Sequence, residues 1–184
     1  MHSFKRIVCG IFLLVSLVVT GCIYNTGCGN LPARITRSDQ VAAPMEAGML
    51  LTAETHNGSV IVTGAEDSEC RLTAEVELRA KTDEEAARLL SQVKVELVRS
   101  DGRMAVKIDR PSELEKYSLC VSLDITVPDD SRVSVQSHNG RIQVANIKGD
   151  LSGESHNGAI EIINTDTNPK ECTMKTHNGP IRCQ

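Results

Sequence analysis

Aromatic side chains are almost missing from this chain, at 2% with no Trp. Phe4 and Phe12 lie in the N-terminal leader, which leaves only Tyr24 and Tyr117 beyond it. A core without rings must be filled by Val, Ile, Leu and Ala, which suits thin, regular layers. The same shortage argues against gripping sugars by ring stacking. Positive charge is short as well. The net charge is −4, and it becomes −6 if Lys5 and Arg6 leave with a leader that contains no acid. An acidic chain outside the cytoplasm is a poor nucleic-acid binder. The apolar run Ile7 to Val19 is too short for a comfortable membrane span. No Ser-His-Asp order, paired-carboxylate motif, phosphate loop or Cys-x-x-Cys stands out, so neither an enzyme nor a cofactor is expected.

What the chain does contain is one short phrase, written four times. Thr55-His56-Asn57-Gly58, Ser137-His138-Asn139-Gly140, Ser155-His156-Asn157-Gly158 and Thr176-His177-Asn178-Gly179 each run into an apolar-alternating segment. The last three copies are 18 and 21 residues apart, and the first stands 82 residues upstream. A repeat near twenty residues marks a stacked architecture. Alternation on both sides of the motif argues strand, corner, strand. Asn-Gly is the expected corner because both residues tolerate positive φ. The dipeptide also suits a hairpin turn. The tandem recurrence, with no second turn signal of hairpin type, favours a solenoid corner.

Aligning the copies assigns faces. Leu51, Val133, Leu151 and Cys172 form one inward column. Val60, Ile142, Ile160 and Ile181 form a second, and Val62, Val144, Ile162 and Cys183 a third. The His residues then point outward with Glu54, Gln136, Glu154 and Lys175, on strands about 4.8 Å apart. The repeated corners are Asn57-Gly58, Asn139-Gly140, Asn157-Gly158 and Asn178-Gly179.

The pattern Thr/Ser-x-Asn-Gly-x-Ile/Val-x-Val, recurring after a strand that ends in Val127-Pro128, resembles the bacterial putative-adhesin family of unknown function. The resemblance covers residues 49–184 and implies an all-β, single-stranded β-helix or solenoid. The family supplies no catalytic residues to carry over.

Lys5 and Arg6 followed by the apolar run Ile7 to Val19 read as an export signal. Val19-Thr20-Gly21-Cys22 resembles the lipobox of bacterial lipoproteins, which makes Cys22 the lipidated first residue of the mature chain. An uncleaved anchor or an ordinary signal peptide are the alternatives. Several acyl chains would hold the protein to a membrane almost irreversibly. Ile23 and Tyr24, with no Asp after the Cys, favour the outer membrane. The expected organisation is a leader over 1–21, a lipidated N-terminus and flexible tether over 22–48, and a β-solenoid domain over 49–184.

Between the first copy and the other three lies a β-rich inserted section with one helix. Alternation predicts strands over 71–80 and 119–127, and a hairpin over 94–98 and 104–108 around Ser100-Asp101-Gly102. Thr82 to Val93 is the expected helix. Thr82 and Glu85 form its capping box, and Ala86, Leu89, Leu90 and Val93 form a stripe read as core packing. The section is expected to cap the first end of the stack. The chain stops at Gln184, directly after the last inward residue, so either the product is truncated or that uncapped edge pairs with another molecule, self-association included.

Beyond Cys9 and Cys22, the cysteines are Cys28, Cys70, Cys120, Cys172 and Cys183, an odd number in a disulfide-permissive compartment. Cys172 and Cys183 flank the last corner and are the candidate disulfide; the alternative is two buried, inert thiols. Cys28 could pair between molecules. The outward imidazoles His138, His156 and His177, continued by His56 if the first copy stacks on the second, are the candidate metal ligands, with Glu154 and Glu161 nearby. The plainer reading is that His fills a variable exposed position. Taken together, the expected function is a non-enzymatic structural, adhesive or partner-binding module of the envelope, held by its N-terminal lipid and meeting an envelope or surface protein. The alternative is a metal-binding envelope protein.

Overall fold

Each His-Asn-Gly unit is a strand, a corner and a second strand, and the corner sends the second strand into a different sheet. The computed structural model describes residues 31–163 and 171–184, with the backbone of 14–16. Cys22, Cys28 and most of the expected leader lie outside the described residues.

The described residues are mostly β with one short helix, built from two sheets rich in parallel pairs. In chain order the elements are β1 (Leu14–Ser16), β2 (Ala33–Pro44), β3 (Leu50–Asn57), β4 (Val60–Ala65) and β5 (Glu69–Ala80), then α1 (Asp83–Leu90). There follow β6 (Lys94–Ser100), β7 (Arg103–Asp109), a 3-10 turn (Ser112–Lys116) and β8 (Ser118–Pro128). The remaining units are β9 (Arg132–Asn139) with β10 (Ile142–Ala145), β11 (Leu151–Ser155) with β12 (Ile160–Ile163), and β13 (Cys172–Thr176) with β14 (Ile181–Cys183). One sheet runs β1-β2-β5-β8-β4-β10-β12-β14, and the other β13-β11-β9-β3-β7-β6. The strands on either side of each Asn-Gly therefore do not pair with each other, so the motif closes no hairpin.

Register follows the expected alignment residue for residue. Leu51, Val133, Leu151 and Cys172 stand opposite one another in parallel ladders. So do Val60, Ile142, Ile160 and Ile181. Burial follows for three units: Leu51, Val60 and Ile142 are fully enclosed between the sheets. It fails in the fourth. Cys172 and Cys183 are exposed and Ile181 is 45% exposed, because no described strand covers their outer side. The two cysteines stand as separate thiols.

The first unit, β3 and β4, packs directly against β9 and β10 although 82 residues separate the motifs. The inserted section flanks its far side, with β8 and β5 beside β4, and β7 and β6 beside β3. The hairpin forms as expected. Asp101 (φ 42°) and Gly102 (φ 75°) both take left-handed conformations, which a two-residue turn matched to strand twist requires. The helix is shorter than its pattern, with Thr82 Oγ1 accepting from Glu85 N at 3.2 Å and Lys81 N donating to Glu85 at 3.2 Å. Its stripe, Ala86, Leu89 and Leu90, is buried, as is Val93 beyond it.

The flexible tether expected over 22–48 is corrected across residues 33–44. These form β2, paired with β5 from Ala33–Ala80 to Pro44–Glu69. Polar composition disguised it. Arg37 and Asp39 face inward as a bidentate pair at 2.6 and 2.8 Å. Arg37 also donates to the carbonyls of Leu90 and Val93 at 2.7 and 2.8 Å, which satisfies acceptors at and beyond the C-terminal end of α1.

Candidate functional site

Four columns of side chains run along the corner edge of the β9-containing sheet. Because stacked parallel strands repeat identical positions one strand spacing apart, like side chains meet like. Hydroxyl, imidazole, amide and glycine then each solve their own problem.

The hydroxyls turn inward. Thr55 donates to Val121 O at 2.8 Å, Ser137 to Gly58 O at 3.1 Å, Ser155 to Gly140 O at 3.1 Å and Thr176 to Gly158 O at 2.9 Å. Thr55, Ser137 and Ser155 are buried, so these bonds satisfy groups that would otherwise be orphaned.

The amides form one directional chain. Asn178 donates to Asn157, Asn157 to Asn139 and Asn139 to Asn57, each at 2.8 Å. Asn57 ends the chain on Leu119 O at 3.3 Å. Each interior amide is donor and acceptor at once, an arrangement in which neighbouring bonds polarise each other.

The glycines are needed for space. Only Gly58 among the four corners has positive φ, at 139°. A Cβ at Gly140, Gly158 or Gly179 would instead lie 1.8–2.2 Å from the carbonyl oxygen of the corner before it. The expectation that positive φ selects Asn-Gly therefore holds at Gly58 and is corrected at the other three glycines and at every corner Asn.

The imidazoles point outward and stack. Ring centroids of His56 and His138 are 4.7 Å apart, those of His138 and His156 4.7 Å, and those of His156 and His177 4.8 Å, with planes within 8° of parallel. Two imidazoles holding one zinc ion must aim lone pairs at a common point about 2.0–2.1 Å from each nitrogen. Parallel rings a strand spacing apart aim theirs side by side. Among the described residues no group of three or more His, Cys, Asp or Glu is placed to hold a metal. Glu161, considered as a helper, lies on β12 in the other sheet and pairs with Arg141.

Outside the His column run Glu54, Gln136, Glu154 and Lys175, and then the hydroxyls Thr52, Ser134, Ser152 and Thr173, all in register. The outer face is therefore polar and periodic. Sequence reasoning missed a cleft beside this face, where residues 106–110 and 117–121 meet the first motif. No local signal marks it: β7 parts from β3 after Ala105, within an unbroken strand that stays paired with β6 to Asp109.

No family model matches the chain, and no curated protein matches it. Among solved structures it is similar to a "putative cell adhesion protein" from Clostridium sporogenes. That alignment covers 79% of this chain and 98% of the other, at 10% identity and a TM-score of 0.42. A "putative adhesin" from Parabacteroides merdae aligns with 70% of this chain and 51% of its own, at 10% identity and a TM-score of 0.38. Another from Bacteroides fragilis aligns with 86% and 100%, at 12% identity and a TM-score of 0.28. Superpositions this loose leave function to the chain's own residues.

Proposed function

We propose that this chain is a lipid-anchored module of the cell envelope, held at the outer membrane through Cys22, that binds a partner without catalysing a reaction. The observation that carries the reading is the outward face of the β9-containing sheet, where hydroxyl, mixed polar and imidazole columns repeat in register over four units. A surface of aligned donors and acceptors on a rigid scaffold suits recognition. The non-enzymatic reading is supported by how the polar groups are spent. The hydroxyl beside each His donates to a carbonyl of the neighbouring unit, or to Val121 O at the first, and not to the imidazole. A nucleophile and its base would instead share that proton.

We read the four units as rungs of a β-solenoid. Their shared register, the continuous Asn chain and the sheet change at every Asn-Gly corner support it.

The test is a photo-activated cross-linking side chain placed at Gln136 or Glu154, in intact cells, with Gln143 on the other sheet as control. The expected result is one discrete envelope component captured from 136 and 154 and not from 143. Capture that is equal at all three positions, or absent from the ladder face, would end the reading of that face as the partner surface.

A further inference from the structure

β3 and β7 are in parallel register only from Leu50–Arg103 to Thr52–Ala105. Beyond that point they part. A cleft of about 280 Å³ opens between residues 54–57 and 106–110, and a neighbouring hollow of about 330 Å³ shares His56, Asn57, Arg110 and Leu119 with it.

Three features of the cleft point to one kind of occupant. The first is an open strand edge. Leu50 N donates toward β7, to Gly102 O at 3.2 Å. Alternate residues of a strand address the same neighbour, so the backbone groups of Glu54 and His56 face the same way, past the end of the ladder. Such an edge is a template for another extended chain. The second feature is an apolar floor of Val106, Ile108, Leu119 and Val121. One face of His56 is covered by His138, and the opposite face turns to the cleft.

The third feature is charge. Glu54, Lys107 and Arg110 line the cleft, a formal excess of one positive charge. Lys107 is held by Asp109 at 2.8 Å. Arg110 is exposed and has no ion-pair partner among the described residues. One unmatched guanidinium suits one carboxylate, and Glu54 on the near wall, with Glu115 in the adjoining hollow, opposes a polyanion.

We propose that this cleft takes a short extended peptide segment bearing one acidic side chain. The segment pairs its backbone with the β3 edge at Glu54 and His56, lays an aliphatic side chain on the floor, and brings its carboxylate to Arg110. This rests on the partner-binding reading and gives it a site and a partner chemistry.

The experiment is a titration of the full chain, labelled with nitrogen-15, with the capped tripeptide acetyl-Val-Glu-Val-amide, followed by amide shifts. Saturable shifts confined to residues 53–57, 106–110 and 119–121 are expected at millimolar peptide. The Gln analogue should bind about tenfold more weakly, since losing a charge-assisted bond of this kind costs roughly one factor of ten. Arg110→Gln should erase that preference and leave the rest of the spectrum in place. Absent shifts, shifts elsewhere, equal binding of the two peptides, or a preference that survives Arg110→Gln would each overturn the proposal. Tighter binding of galacturonate at the same amides would reassign the cleft to a uronic acid. Failure here with ladder cross-linking intact would remove the cleft alone. Peptide binding without cross-linking would remove the ladder face alone.

Discussion

A Cβ placed on Gly158 would stand 2.0 Å from the carbonyl oxygen of Gly140. The contact is backbone against backbone, so no side chain can swing away to relieve it. Gly158→Ala should destabilise the protein by about 1–3 kcal/mol, as overpacking at a rigid contact does. Gly102 is the control. It has positive φ but open space around it, and Asn tolerates that conformation. Gly102→Asn should stay within about 0.5 kcal/mol of the parent. Urea midpoints measure both. An unmoved midpoint for Gly158→Ala would mean that the corners are not packed this closely.

Asp39 and Arg37 are nearly enclosed, at 7% and 13% side-chain exposure. Removing the carboxylate charge leaves a buried guanidinium, which the Leu90 and Val93 carbonyls only partly answer. Asp39→Asn should therefore cost about 3 kcal/mol in urea unfolding. A loss no greater than that of an exposed pair would place residues 33–44 outside the cooperative fold.

The Tyr117 hydroxyl donates to Glu85 at 2.7 Å. That bond, with the Lys81 backbone N–H second, holds the Glu85 carboxyl below its ordinary range. A depressed carboxyl contributes stability above its unfolded value and loses it as pH falls through the folded one. In Tyr117→Phe the Glu85 carboxyl should titrate higher, part of the way back to ordinary, because the Lys81 bond remains. Carbon-13 titration of Glu85 reads this directly, and an unchanged midpoint would show that the bond is not formed in solution.

Zinc offers a direct check on the stacked imidazoles. With the exposed thiols of Cys172 and Cys183 blocked, calorimetry at pH 7.5 should give no saturable heat, since parallel rings do not converge on one ion. Micromolar binding that is lost in His156→Ala would mean that the rings leave the stack to chelate.

The proposed membrane attachment turns on one atom, the Cys22 sulfur. Cys22→Ser should leave an uncleaved precursor that takes up no labelled fatty acid. Full labelling of that variant would move the anchor to another residue.

Local chemistry made much of this protein readable before any coordinates. Period-two alternation placed β5, β8 and the repeat strands, because a half-buried strand must alternate. Identical spacing around each Asn-Gly predicted which residues stand opposite one another, and the ladder from Val60 to Ile181 follows it. Ser100-Asp101-Gly102 and the Thr82–Glu85 pair announced a turn and a cap through bonds made within a few residues. The outward His column followed from the same arithmetic.

Tertiary structure decided what depends on a partner distant in sequence. β2 was illegible because its inward Arg37 and Asp39 look like solvent-facing polar residues until α1 and the turn after it supply carbonyls from 53 and 56 residues away. The reason for glycine at Gly158 lies in the approach of Gly140, which no local preference records. The burial of the last unit, unlike its register, depends on a covering strand, and alignment says nothing about whether one exists. The cleft beside His56 arises where β7 leaves β3, a divergence between chain segments about fifty residues apart. Spacing along a chain sets which faces can meet; which ones do meet is a property of the packed whole.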